Sequence, residues 1–324
     1  MENINQQTKH SSTLAQIPQK NEIQGNVYPH IDIINPDDTK IFLKKYLHKN
    51  PVLVKGYFKK SKVVEVWNEE YFLNVAGDTE VEVWQNRSNT SIMTLKKYIE
   101  WLIYDQDIEK KENSSLEKEN FYLTNFHIDK MKATIANALS NDLNFTPQTF
   151  VGKWYLKNWK RNIFLFYGNK NSVTPLHFDF LGTHNTFFQI KGHKKFVILP
   201  SDQIKYCYID IKKSAFSKID PVNPDYEKYP LLKNITPFQA ILEEGDMLYM
   251  PPFTLHYVKG LDLNISMNID WHSKQSVINS FLSPYNRNLQ PHYLNAITFL
   301  GVCCGVPNSL LFRFYKSYYN ATIE

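Results

Sequence analysis

Cysteine is scarce in this 324-residue chain, which has only Cys207, Cys303 and Cys304. An odd number of cysteines, two of them adjacent, provides no disulfide framework and no Cys-x-x-Cys motif. The N-terminus has no apolar stretch behind its charged residues, and the longest apolar run, about Ala296 to Val306, is too short to span a bilayer. These absences argue against a disulfide-stabilised secreted protein and a membrane protein, and they predict a cytoplasmic one.

A single basic stripe is also lacking. The net charge is +5, but the lysines occur as scattered pairs such as Lys44-Lys45 and Lys212-Lys213. This distribution is typical of a solvated surface and argues against a nucleic-acid partner. Aromatic residues, by contrast, are plentiful at 15% of the chain, and they favour a fold rich in β-strands.

Composition and patterning divide the chain into three parts. Residues 1–28 are polar and predict a flexible tail. Residues 29–280 contain many short apolar or alternating segments separated by turns, which predict a domain that is mainly β with flanking helices, built on a barrel or jelly-roll (double-stranded β-helix) core. Residues 281–324 return to helical periodicity and predict a C-terminal helical extension.

Individual elements follow from the same patterns. Alternating or continuous apolar runs predict strands at 51–56, 79–84, 163–167, 185–190, 194–199, 245–250 and 263–271. Helical spacing predicts helices at 68–75, 94–103, 293–302 and 309–319. The run from Glu109 to Glu119 is highly charged and predicts a loop.

The main chemical signal is the segment Thr174-Pro175-Leu176-His177-Phe178-Asp179. Residues two apart in a strand share a face, so His177 and Asp179 are predicted to point together into the barrel. His256, after Gly245-Asp246-Met247-Leu248-Tyr249-Met250-Pro251-Pro252, supplies a third ligand, and His272 is the rival for that role. Two histidines and one carboxylate on one side of a metal form the facial triad of non-haem iron(II) oxygenases.

Several further segments, in matching order and spacing, resemble the JmjC-type cupin-like 2-oxoglutarate oxygenases. The chain is most similar to the branch that includes the asparaginyl hydroxylase known as factor inhibiting hypoxia-inducible factor. The segments that carry this resemblance are Val173 to Asp179, Asn185 to Lys194, Asn223 to Pro230, and Gly245 to Pro251 followed by His256. The resemblance covers residues 173–271 well and extends more loosely upstream to about Ile31.

The resemblance implies that residues 29–280 form a catalytic domain with a cupin core, with iron(II) as the metal and 2-oxoglutarate and oxygen as cosubstrates. It implies that Lys194 binds the far carboxylate of 2-oxoglutarate, helped by hydrogen bonds from Thr174, Asn185, Asn268 and Tyr122. Strand parity agrees for Lys194, because Lys194, Phe196 and Ile198 share one face of the predicted strand. If that apolar pair faces inward, the lysine is buried with it and requires an anion.

Two departures from that branch leave the substrate pocket open. The loop Phe180-Leu181-Gly182-Thr183-His184 is longer than its counterpart. In Asn268-Ile269-Asp270-Trp271, an aspartate occupies the position where the resembled enzyme has tryptophan. Either Asp270 points into the pocket, or the strand shifts and Trp271 takes its place.

The resulting expectation is a dioxygenase that hydroxylates a protein or peptide side chain. The alternatives are a demethylase of N-methyl-lysine, a non-catalytic cupin module that binds a partner, and a zinc hydrolase. The resemblance further implies a homodimer formed through the C-terminal helices, and no membrane partner is expected.

Overall fold

The computed structural model describes residues 28–85, 89–111, 121–127, 163–179, 181–211, 214–285, 289–307 and 309–311. The predicted tail therefore lies outside the described residues, apart from Tyr28. The described strands are β1 (Ile33–Ile34), β2 (Val52–Val54), β3 (Glu80–Gln85), β4 (Asn89–Thr94), β5 (Phe121–His127), β6 (Ile163–Gly168), β7 (Val173–His177), β8 (His184–Lys191), β9 (Lys194–Leu199), β10 (Phe238–Leu242), β11 (Met247–Met250), β12 (Leu255–Gly260) and β13 (Asn264–Trp271).

The described α-helices flank these strands. They are α1 (Thr39–Ile41), which continues as a π-helical turn at Phe42–Tyr46, then α2 (Lys62–Val66), α3 (Glu69–Ala76), α4 (Leu95–Lys111), α5 (Lys274–Leu282) and α6 (Leu289–Val302). Asn68 caps α3 by accepting from the backbone N–H of Tyr71 at 2.9 Å. Two short 3-10 helices lie at Ser201–Tyr206 and Pro230–Asn234.

The strands form two sheets. The larger has the order β1-β2-β11-β8-β13-β6-β5-β3-β4, and the smaller has the order β10-β9-β12-β7. Apart from the parallel pair β1 and β2, the strands pair antiparallel. Successive strands repeatedly change sheet, as at β8 and β9, where Gly192 turns with a positive φ of 66°. This is the predicted jelly-roll architecture, and that prediction is confirmed.

The two sheets enclose a mixed interior. Apolar side chains from both meet there, including Phe187 and Leu248 of the large sheet and Phe196 and Ile198 of the small one. The opposite face of the large sheet packs against α2, α3 and α4, and the opposite face of the small sheet packs against its connecting loops. Because both faces of most strands are covered, β9 is buried along its whole length.

Most predicted elements are present, and several were missed. The predicted strands correspond to β2, β3, β6, β8, β9, β11 and β13, and the helix at 94–103 is the first part of α4. The charged run at 109–119 was predicted as a loop, but α4 continues to Lys111; residues 112–120 lie outside the described part. Strands β4, β5, β10 and β12 were not predicted. Of the helix predicted at 309–319, only 309–311 are described, and they are helical.

The C-terminal helices begin before the predicted domain boundary. Helix α5 spans Lys274–Leu282 and contacts α6, so residue 280 lies inside a helix. Several large apolar side chains of this region are exposed, among them Leu282 at 78% and Leu310 at 58%. None of the described helices combines the length and apolar character needed to cross a bilayer.

Asp246 fastens the β10–β11 turn to the end of β2. Its carboxylate is buried and accepts from the backbone N–H of Gly56 at 2.8 Å and of Glu243 at 2.8 Å. The Lys55 ammonium donates to it at 2.9 Å. The carboxylate therefore replaces its hydration shell with three protein donors, which is the condition for burying a charge at low cost.

We predict that Asp246→Ala lowers the free energy of unfolding by about 3 kcal/mol, because it leaves the backbone N–H groups of Gly56 and Glu243 without an acceptor and removes one of the two carboxylates paired with Lys55. Urea denaturation followed by circular dichroism measures the change. Glu243→Ala is the matched control: Glu243 also pairs with Lys55, at 3.0 Å, but its side chain is 42% exposed. We expect the control to cost less than about 1 kcal/mol, and equal losses would contradict the role given to Asp246.

Candidate active site

Three side chains of types that can bind a metal converge at the end of β7. His177 ends β7, Asp179 follows two residues later, and His256 is the second residue of β12. Strands β7 and β12 pair antiparallel with His256 opposite His177. One potential ligand atom from each of the three residues lies within 4.8 Å of the others, and no other such group of His, Cys, Asp or Glu occurs among the described residues.

An irregularity in β7 orients His177. The register with β12 shifts between the pairs His256–His177 and Val258–Thr174, so β7 contains one extra residue there. Such a bulge accommodates Pro175, which has no N–H to donate to the ladder. Residues three apart in a regular strand face opposite sides, and the bulge allows both Thr174 and His177 to face the interior while Leu176 packs in the outer cluster.

Backbone carbonyls set the orientation of both imidazoles. The Nδ1 atom of His177 lies 2.8 Å from the carbonyl oxygen of Pro175, and the Nδ1 atom of His256 lies 3.0 Å from that of Thr254. A carbonyl only accepts, so each Nδ1 carries the proton and donates it. Both Nε2 atoms are left with a free lone pair, which is the form of histidine that binds a metal.

The surroundings keep the His177 imidazole uncharged and hold His177 and Asp179 in place. Burial, together with the neighbouring His256, lowers the pKa of His177 to about 4, so this imidazole is uncharged at neutral pH. Phe216 stacks on the His177 ring at 4.9 Å between centroids. The Asn185 amide donates to the Asp179 carboxylate at 3.1 Å. Two imidazole nitrogens and one carboxylate oxygen on one side suit iron(II) and leave its other positions open.

Lys194 is buried in the same interior. It is fully inaccessible, and its ammonium donates to the Tyr122 hydroxyl at 3.0 Å and the Ser266 hydroxyl at 2.7 Å. The rings of Tyr122, Phe166 and Phe187 lie 5.2 to 5.4 Å from it. Burial lowers the pKa of Lys194 to about 7, and no described carboxylate opposes this effect. Both hydrogen-bond partners are neutral hydroxyl groups, so no described residue balances the charge of the ammonium.

The remaining predicted pocket residues also face the interior. The Tyr122 hydroxyl hydrogen-bonds with Thr174, and both side chains are nearly inaccessible. Asn185 of β8 and Asn268 of β13 are buried on the inward faces of neighbouring strands. The structure thus brings all eight predicted site residues to one interior, while their binding of a cosubstrate stays a prediction.

The alternation along β13 decides between Asp270 and Trp271. Ser266, Asn268 and Asp270 face inward, and Trp271 faces the opposite core, where it is fully buried and donates to Thr186 at 3.0 Å. Burial and the charge of Asp179 raise the pKa of Asp270 well above its ordinary value. A cation beside Asp270 would oppose both effects.

The other histidines have structural contacts. His272 hydrogen-bonds with Ser276 at 3.1 Å, at the start of α5, and does not belong to the metal-binding group. His184 stacks on Trp271 at 4.1 Å between ring centroids and contacts the Tyr249 hydroxyl at 2.8 Å. His193 pairs with Asp262 on the surface. His272 is therefore not the third ligand.

Two site residues escaped the sequence reasoning. Ser266 lies two residues before Asn268, so strand parity could have found it as a partner of Lys194. Phe216 lies in a loop without periodicity, and no signal in the sequence connected it to His177.

Fold and site together define a cupin-type barrel with a metal-binding group of two histidines and a carboxylate. A model of the cupin-like domain matches residues 38–277. Lysine-specific demethylase JMJ30 of Arabidopsis thaliana is 28% identical over 240 residues, which cover 71% of this chain and 51% of that protein. JmjC domain-containing protein D of Dictyostelium discoideum is 37% identical over 103 residues, 31% of this chain and 22% of that protein. tRNA wybutosine-synthesizing protein 5 of Gallus gallus is 24% identical over 233 residues, 70% of this chain and 71% of that protein.

This chain belongs to the cupin-like domain family of the JmjC type, as the resemblance predicted. JmjC-type enzymes use iron(II), 2-oxoglutarate and oxygen, and the His-Asp-His group needed for such a metal is present. The prediction of these cofactors is therefore confirmed for the family. The aligned region spans about half the length of the Arabidopsis thaliana protein and a fifth of the Dictyostelium discoideum protein.

We predict that Lys194→Met raises the free energy of unfolding of the cofactor-free protein by about 2 kcal/mol at pH 6, because it removes a buried charge that lacks an anion. The folded-state pKa of about 7 lies below the ordinary value of 10.5, so the cost of the buried charge is complete below pH 7. The advantage of the variant should shrink as pH rises from 7 towards 10.5. Urea denaturation at several pH values measures it, and a lower stability of the variant at pH 6 would contradict the prediction.

Proposed function

We propose that the protein is an iron(II)- and 2-oxoglutarate-dependent dioxygenase that hydroxylates a side chain of a protein or peptide. One observation carries the proposal: an interior that holds three convergent metal ligands also holds a buried ammonium with no carboxylate partner among the described residues. A dicarboxylic acid that chelates the metal at one end and meets Lys194 at the other fits both features.

The register of the small sheet gives the distance between the metal-binding residues and Lys194. His256 pairs with Ile198 of β9, and Lys194 lies four residues earlier on the same strand. At the usual rise per residue, the backbone of Ile198, beside His256, is about 13 Å from that of Lys194. The two side chains and a five-carbon dicarboxylate can together bridge that distance. The hydroxyl groups of Tyr122 and Ser266 hold the ammonium in place.

When bound, iron(II), 2-oxoglutarate and oxygen supply the oxidation: one oxygen atom enters a substrate C–H bond to give C–OH, and the other enters succinate as carbon dioxide is released. The chain's own part is to position and shield. The carbonyls of Pro175 and Thr254 hold the two imidazoles with Nε2 free. Asn185 holds the Asp179 carboxylate.

Hydroxylation and demethylation share the same first step, since a hydroxylated N-methyl group releases formaldehyde. The name of the Arabidopsis thaliana relative describes demethylation of lysine, and that of the Gallus gallus relative describes a role in wybutosine synthesis on tRNA. We propose hydroxylation of a peptide side chain because the resembled branch hydroxylates protein. The activities named for the two relatives are the alternatives, and identification of the reaction product distinguishes them from hydroxylation of a peptide.

We predict that the protein forms succinate from 2-oxoglutarate with iron(II) and oxygen, and that Asp179→Ala reduces the rate by more than about a hundredfold. Partners of metal ligands alone are worth 10- to 100-fold, so loss of a ligand should cost more. Succinate is measured by mass spectrometry. Asp202→Ala, at an exposed aspartate in a 3-10 helix, is the matched control and should retain the rate.

The same assay separates the other classes of function. A non-catalytic cupin module would form no succinate above the level of Asp179→Ala. A zinc hydrolase would act with zinc and without oxygen or 2-oxoglutarate. Lys194→Met should raise the KM for 2-oxoglutarate while the metal still binds, and an unchanged KM would contradict the role of this ammonium.

We also propose that α5 and α6 mediate a homodimer. Leu282 and Leu300 are exposed large apolar side chains on these helices, and burial of such side chains favours association. We expect Leu282→Glu combined with Leu300→Glu to convert a dimer to a monomer in size-exclusion chromatography with light scattering. Ile92→Glu, at an equally apolar position exposed on β4, is the control and should leave the mass unchanged. A monomeric wild type would refute the dimer.

A further inference from the structure

The inward face of β13 connects the two ends of the pocket. Ser266 accepts from the Lys194 ammonium at 2.7 Å, and Asn268 and Asp270 follow at steps of two residues on the same face. Asp270 pairs in register with Asn185, whose amide donates to Asp179. Asp270 therefore places a second carboxylate beside the metal-binding end.

This carboxylate is not one of the metal ligands. The ligand atoms that lie within 4.8 Å of one another belong to His177, Asp179 and His256, and Asp270 is not among them. Its one hydrogen bond to a described residue comes from the Asn268 amide, at a long 3.3 Å. Asp270 forms no ion pair with any lysine, arginine or histidine in the described ranges. The Asp270 side chain is half-buried on the inward face of β13. A partly desolvated carboxylate with one weak donor costs stability, so packing gives no reason for it.

The neighbouring amides add to this excess of acceptors. Asn185 and Asn268 each donate their amide to a carboxylate, to Asp179 and Asp270 respectively. Each leaves its Oδ1 atom buried without a donor in the part of the chain that the structure describes. Buried acceptors are normally satisfied, so two orphaned carbonyl oxygens and an unpaired carboxylate in one cluster indicate a missing group that donates several hydrogen bonds.

Charge balance indicates the nature of that group. In the proposed loaded site, the charge of iron(II) is offset by 2-oxoglutarate, and the charge of Asp179 is offset by Lys194. The negative charge that Asp270 carries when it is ionised then has no counterpart among the described residues. A cation with several N–H donors would balance that charge and satisfy the orphaned oxygens together.

We propose that Asp270 selects a substrate whose reacting side chain carries a positive charge, an ammonium or guanidinium as in lysine or arginine. The charged nitrogen binds Asp270 beside Asp179, and this contact brings a carbon of the same side chain close to the metal. This specificity rests on the proposed oxygenase function and narrows its substrate class.

Fluorescently labelled peptide pools that differ only in one fixed central residue test the proposal. The fixed residues are lysine, trimethyllysine, arginine, norleucine and glutamate. Binding to the full-length protein, loaded with iron(II) and 2-oxoglutarate without oxygen, is measured by anisotropy, so the readout does not depend on turnover. Oxygen is then admitted, and mass spectrometry detects the gain of one oxygen atom or, for trimethyllysine, the loss of a methyl group.

We expect the wild type to favour the lysine and arginine pools over norleucine and glutamate, and to bind trimethyllysine more weakly than lysine because its charged nitrogen has no N–H to donate. Asp270→Asn should weaken binding of the cationic pools by about thirtyfold or more, because a buried charge loses its partner. Binding of the norleucine pool should not weaken. Asp270→Glu, which keeps the charge, should retain the preference. Glu82→Gln, at an exposed carboxylate on β3, controls for a general change of charge. If Asp270→Asn fails to fold, Asp270→Ser provides a second neutral variant.

Equal binding of all pools by the wild type, or an unchanged cationic preference in both neutral variants, overturns the proposal. So does competition by unfractionated tRNA with no preference among peptides, which would favour an RNA substrate. Cationic preference that depends on Asp270 but produces no succinate would refute the oxygenase and leave the specificity intact. Succinate formation without cationic preference would refute only the specificity.

Discussion

The antiparallel pairing of β7 with β12 is the constraint on which the active site depends. It sets His177 opposite His256, and the bulge at Pro175 turns Thr174 and His177 to the same side. A slip of one residue would exchange the inward and outward faces of a strand and direct the ligands into the outer core. The carbonyls that hold the two imidazoles belong to Pro175 in β7 and to Thr254 just before β12. The same two backbone segments therefore set both the position and the protonation of the histidines.

This interior is more polar than a barrel core needs to be for stability. A buried ammonium, two buried amides with orphaned oxygens and two half-buried carboxylates occupy space that apolar side chains could fill. Each of these groups is expensive to bury without partners. The outer clusters stabilise the fold. Helices cover one face of the large sheet, where Phe72 of α3 and Trp271 of β13 belong to one buried cluster, and the small sheet has its own outer cluster. The stable exterior permits an interior arranged for ligands.

Alternate residues of strand β13 face opposite sides, so every second side chain lines the pocket. Its outward residues, Ile265, Met267, Ile269 and Trp271, belong to the helix-covered core. Its inward residues run from Ser266 at the lysine end to Asp270 at the metal end. The family comparison establishes the barrel and its cofactors, whereas the residue at the metal end differs from the resembled hydroxylase.

Much of this architecture was readable from the sequence because local periodicity reflects which faces are buried. Strand parity in 194–199 placed Lys194 on the same face as Phe196 and Ile198, and its burial followed only if that apolar pair faces inward. The His-x-Asp spacing predicted His177 and Asp179 as ligands, and the family resemblance supported His256 as the third. Strands β10 and β12 escaped notice because their side chains are buried on both faces and lack alternation. The sequence by itself determined the residue types of the site and the parity of its strands. Tertiary structure alone decided the bulge at Pro175, the inward position of Asp270 rather than Trp271, and the isolation of Lys194 from any described carboxylate. Those features depend on register between strands distant in the chain, which no local pattern records.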